Sequence, residues 1–201
     1  MSLAFQLSVY WFLVVGALGI FFPYFTLYLR ENAGLSGGQA GLVAAALPLT
    51  AIFFQPFWGQ VADRTGSRTR TLAFLALGTA AGYALLSVPR SFAGLLVAAC
   101  ALAVFSTSII PMGVSVSLAL LEQTRIVGFG RVRVWGTIGY LCTVVATPHL
   151  LDWFQQRNRM LARPGDPSEP GLELIFLAAA MLVASGALVA WRLPRAGSVS
   201  L

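Results

Sequence analysis

At 201 residues, with 58% hydrophobic and 10% charged side chains and a mean hydropathy of +0.80, the chain carries more apolar surface than one soluble globule hides, which places it in a lipid bilayer. All thirteen cationic residues are arginine and the formal net charge is +6. They are scattered between apolar runs rather than gathered on one face with interleaved aromatics, which excludes a nucleic-acid binder and makes membrane headgroups their natural partners.

The N-terminus lacks a positively charged leader, and its apolar run continues past the length of a signal peptide, so it reads as a retained first helix. Six membrane-length segments follow in order, near Leu7–Leu29, Gly41–Ala62, Thr71–Val88, Phe92–Leu121, Arg133–Leu151 and Leu172–Trp191. The predicted fold is therefore an all-α membrane protein of six transmembrane helices, one bundle over residues 1–195, with 196–201 reading as a tail or the start of a linker. The fourth segment is long enough that it must tilt, kink at Pro111 or project beyond the bilayer before Glu122. With both termini cytoplasmic, eight arginines (64, 68, 70, 125, 131, 133, 192 and 195) fall inside and five (30, 90, 157, 159 and 163) outside, an inward bias. The Asp152–Gly171 loop, the longest, works against that bias. Cys100 and Cys142 lie in separate apolar runs with no metal-ligand spacing and read as free buried thiols. No metal site, cofactor or catalytic constellation is expected, so the chain does not read as an enzyme.

Between the second and third segments, Gly59, Asp63, Arg64, Gly66 and Arg68 crowd into a polar hairpin. Asp63 stands where the carbonyl ends of the helix dipole repel an anion, so it needs a cation, with Arg64 or Arg68 at hand. Gly66 permits a positive φ in the turn, and Gly59 lets another helix approach. The alternative reading is a solvated loop whose arginines only anchor it in the cytoplasm. Pro23 and Pro111 each stand about two turns before a helix end behind two bulky apolar residues, a trace of paired inverted three-helix repeats. Gly78-Thr79-Ala80-Ala81-Gly82 offers a small-residue packing strip.

Three motifs carry a resemblance. The Gly59–Arg68 loop preceded by Phe54-Gln55-Pro56, the run Gly19-Ile20-Phe21-Phe22-Pro23-Tyr24-Phe25, and Gly130-Arg131-Val132-Arg133-Val134-Trp135-Gly136 together resemble the major facilitator superfamily, in the branch of lactose permease and the phenylpropionate and nucleoside proton symporters. They lie in order over about the first 140 residues. The resemblance implies an N-terminal half-bundle of a twelve-helix secondary transporter in a bacterial inner membrane. It also implies a small polar organic substrate (sugar, nucleoside or aromatic acid), proton symport, and a second six-helix half supplied by self-association or by a missing C-terminal half. A transport-inactive fragment or partner-binding membrane protein is the other class.

Few ionisable groups fall inside the segments, where each costs about 2.5–3.5 kcal/mol on insertion scales. Arg133 shares a helical face with Thr137, Tyr140, Val144 and Thr147, which gives the fifth segment a polar stripe. A snorkelling arginine is the plain reading; the resemblance assigns Arg133 to substrate and Tyr140 to stacking on it. The acid that family members carry on helix 4 is missing from Pro111-Met112-Gly113-Val114-Ser115-Val116-Ser117, leaving Glu122 as a candidate partner for Arg133 or, as a loop residue, for Arg125 or Arg131. Tyr24 and Gln55 are further lining candidates, Gln55 alternatively satisfying carbonyls freed by Pro56. Tyr28 reads as part of the outer aromatic belt, and His149 as interfacial filler or a proton relay.

Overall fold

The computed structural model describes residues 2–124, 128–158 and 171–194, with the side chains of 123, 124, 157 and 158 outside the description. The expected tail at 196–201, the middle of the Asp152–Gly171 loop, and Arg125, Arg159, Arg163 and Arg195 lie outside the described residues. Among the described residues there are six helices long and apolar enough to cross a bilayer. They are α1 (Leu3–Leu27, extended by a π-helical turn over Tyr28–Asn32), α2 (Gly37–Thr65), α3 (Arg68–Leu86), α4 (Phe92–Thr124), α5 (Phe129–Asn158) and α6 (Leu174–Trp191).

The first two run past their apolar windows to polar residues that cap their N-terminal ends. Ser2 accepts from the Phe5 amide at the start of α1, and Ser36 with Gln39 forms a reciprocal capping box on α2. Gly66, at φ 62°, ends α2 in the left-handed conformation that glycine adopts without strain.

The helices pack in the order α2, α4, α3, α6, α1, α5. Exchanging α1 with α4, α2 with α5 and α3 with α6 maps this row onto itself, which is the packing of two inverted three-helix repeats. The row curls until α4 also touches α5, so α1 and α4 face each other on one side while the α3–α6 seam forms the opposite side. Glycines set the close approaches: a Cβ at Gly82 would come within 2.7 Å of the Leu102 Cα, and one at Gly78 would enter the Phe105 ring, so α3 and α4 meet along the expected small-residue strip.

Aromatic side chains fill the centre. Phe21 stacks on Phe25 at 4.5 Å, and Tyr83 and Phe176 meet them edge-on or tilted. Tyr28 belongs to this core, its ring 4.7 Å from Phe176 and 3% exposed, which corrects its reading as a belt residue. Tyr28 follows Phe25 and Phe21 at helical spacing and so continues their inward face toward Phe176 of α6. At the ends of the row, α2 and α5 leave large apolar side chains uncovered, among them Ile52, Phe53, Val145 and Trp153.

Candidate functional site

The α1–α5 crossing positions Arg133, the arginine expected to meet substrate. Gly16 and Gly19 of α1 lie against Gly139, Tyr140 and Thr143 of α5, and Gly139 lies against the Phe12 backbone. With no side chain between the two backbones, Thr143 Oγ1 donates to the Gly16 carbonyl at 2.8 Å. Nearer the start of α5, this crossing lays the Arg133 guanidinium over the indole of Trp11, with Cζ 4.4 Å from the ring centroid.

Trp11 is fully buried and held from three sides. Its Nε1–H donates to Ser117 Oγ of α4 at 3.1 Å, Tyr10 meets it edge-on at 5.8 Å, and Phe129 does so at 6.2 Å. Gly113 of α4 leaves the room that Tyr10 and Trp11 fill. A cation over a desolvated indole gains up to about 2 kcal/mol. The ring offsets the charge without occupying a donor, and among the described residues no carboxylate pairs with Arg133. Its fork of N–H groups therefore stays available for a carboxylate or paired hydroxyls. Glu122 is exposed and among the described residues makes no ion pair with Arg133 or with its alternative partner Arg131; the other alternative, Arg125, lies outside the described residues.

The expected polar stripe on α5 does not form a single polar face. Thr137 is exposed, whereas Thr147 is buried and turns its hydroxyl back to the Thr143 carbonyl at 2.6 Å. Tyr140 is half-buried against the core two turns beyond Arg133. Tyr24 is half-buried toward the far end of α1. His149 is exposed near the end of α5.

Gln55 belongs to a different seam. Its Nε2 donates to the Thr107 carbonyl of α4 at 3.0 Å, while Trp58 Nε1 donates to the Val104 carbonyl at 2.7 Å and Ser108 Oγ to the Phe54 carbonyl at 3.4 Å. Thr107 is four residues before Pro111, so its carbonyl is the one that the missing proline N–H leaves without a helical partner. Gln55 thus compensates the proline of α4 and not its neighbour Pro56, which corrects the sequence expectation.

Gln55 also lines a cavity of about 250 Å³ between α2 and α4, together with Gly59, Asp63, Arg68, Ser108, Met112 and Ser115. Arg133, Tyr140 and Tyr24 do not line it, so Gln55 stands apart from the other three expected substrate residues. In the hairpin, Arg68 Nη2 meets Asp63 Oδ1 at 3.0 Å and supplies the cation that the end of α2 requires. Gly59 faces open space, with nothing within 4 Å of a Cβ built there, so the helix it was expected to admit is not one of these six.

Trp11 and Ser117 were missed by sequence reasoning. A tryptophan in an apolar span signals a buried N–H in need of an acceptor, but the acceptor stands 106 residues away.

A six-span bundle of two inverted repeats, with an arginine held on an aromatic face between α1 and α5, defines a half-bundle of a membrane transporter. The family described as MFS_1 like family matches residues 4–196, and the chain belongs to it as an N-terminal half of the major facilitator superfamily kind. It is 30% identical over 189 residues to the maltose permease of Geobacillus stearothermophilus, covering 92% of this chain and 43% of that protein. It is 26% identical over 167 residues to the raffinose permease of Escherichia coli, covering 77% and 39% respectively. The crystal structure of the nucleoside transporter NupG superposes with a TM-score of 0.78 at 19% identity, over 97% of this chain and 45% of that one. The chain thus spans less than half the length of these relatives.

Proposed function

We propose that the chain is one half of a secondary active transporter that moves a small polar organic solute (a sugar, nucleoside or aromatic acid) by alternating access, in symport with protons. The observation that carries this reading is Arg133, held on the Trp11 ring with its donors unclaimed by any described carboxylate. Tyr140, two turns along α5, is the stacking surface, and Tyr24 and Gln55 extend the lining along α1 and α2. The relatives named as sugar permeases and the nucleoside transporter of the same fold support the substrate range.

The required partner is a second six-helix half. It covers the apolar faces of α2 and α5 and docks a helix at the open Gly59 surface beside Asp63 and Arg68. The assembly sits in a bacterial inner membrane with both termini cytoplasmic. In the complete assembly, uptake assayed against a panel of sugars, nucleosides and aromatic acids is expected to be lost in Arg133→Ala, with membrane insertion unchanged. Normal uptake by that variant removes Arg133 from the site.

A second reading is a membrane protein that binds a partner without transporting. The same uncovered faces of α2 and α5 favour it, because they serve any docking helix. Failure of the full assembly to take up any member of the panel supports this reading.

A further inference from the structure

On the side of the bundle away from Arg133, the first turn of α3 and the last turn of α6 enclose a cleft of about 210 Å³, lined by Thr69, Arg70, Ala190, Trp191 and Leu193. Thr69 is 3% exposed and donates through Oγ1 to the Pro194 carbonyl at 3.1 Å, tying the chain that leaves α6 to the start of α3. The cleft therefore has a fixed floor. Arg70 lines it and is exposed, Arg192 is exposed and stands in the chain between the lining residues Trp191 and Leu193, and among the described residues no carboxylate lines the cleft or pairs with either arginine. Ser67 makes no side-chain cap on α3, so the amides of the first turn add partial positive charge at the same end.

Depth selects the ligand. Trp191 is 67% exposed and closes an apolar helix of 18 residues, about 27 Å long at the helical rise, roughly the thickness of the hydrocarbon layer. An exposed indole at such an end sits at headgroup level. We propose that this cleft seats the phosphate of an anionic phospholipid. The Arg70 fork takes the phosphate oxygens, Arg192 supplies a second positive charge, and the Trp191 indole lies beside the glycerol ester region. A soluble phosphate needs neither the indole nor the apolar edge of Leu193. The proposal depends on membrane embedding alone and stands apart from the transport reading.

The test uses the full chain in phosphatidylcholine vesicles that carry a small, equal fraction of either brominated phosphatidylglycerol or brominated phosphatidylcholine. The signal of Trp191 is obtained as the difference in tryptophan quenching between the wild type and Trp191→Phe. Stronger quenching by brominated phosphatidylglycerol is expected in the wild type, corresponding to about fivefold enrichment for one arginine at the headgroup. The preference is expected to vanish in Arg70→Gln and to persist in Arg131→Gln, an exposed arginine outside the cleft. Equal quenching by the two lipids in the wild type overturns the proposal whether or not any arginine variant folds. So does a preference that survives Arg70→Gln. Displacement by excess inorganic phosphate assigns the cleft to a soluble anion and also overturns it.

Discussion

Arg133 and Trp11 should be energetically coupled, and a double-mutant cycle measures that coupling without knowledge of the substrate. The perturbations are Trp11→Leu, which removes the ring, and Arg133→Met, which removes the charge while keeping an extended side chain. Trp11→Leu alone loses buried volume and the bond to Ser117, and Arg133→Met alone changes solvation at the start of α5. These costs appear on both sides of the cycle and cancel, leaving the pairwise term. With Cζ 4.4 Å from the centroid of a fully buried ring and the guanidinium half-buried, that term is expected at about 1–2 kcal/mol, toward the upper part of the cation–π range. Reversible unfolding of the purified chain in mixed micelles, followed by circular dichroism across a denaturing detergent series, supplies the four stabilities. A coupling below about 0.3 kcal/mol, the size of ordinary additivity error, refutes the claim that the indole offsets the charge.

Three further outcomes follow from the packing. Gln55→Leu strands the Thr107 carbonyl and should cost about 1–3 kcal/mol in the same assay, and the cost should shrink on a Pro111→Ala background, where residue 111 supplies its own N–H. Asp63→Asn breaks an ion pair whose side chains are 37% and 67% exposed, so stability should change by less than about 1 kcal/mol; a larger loss shows that the pair is buried in solution. Gly59→Ala, at an open helical position, should leave the chain equally or slightly more stable, whereas Gly82→Val, against the Leu102 backbone, should cost about 1–3 kcal/mol through overpacking. If both glycine variants destabilise equally, the α2 face at Gly59 is covered.

Much of the fold was readable along the chain because spanning a bilayer is a local requirement. A run of about twenty apolar residues is helical in lipid whatever surrounds it, since every backbone polar group must be satisfied within the segment. The hairpin was legible for the same reason: the turn at Gly66 and the Asp63–Arg68 pair are five residues apart or closer. The resemblance carried by Gly19–Phe25, Gly59–Arg68 and Gly130–Gly136 pointed to the family that the whole-chain match establishes. What the tertiary structure decided is which distant polar groups meet. Gln55 crosses 52 residues to Thr107 and Trp11 crosses 106 to Ser117. Tyr28, outer belt by its position in the sequence, is taken into the core by the packing of α6, whose Phe176 meets its ring. Composition fixes how many helices form, but buried donors and acceptors choose partners by helix register and crossing, which only the packed bundle sets. That is why Arg133 stood out in the sequence while the indole beneath it did not.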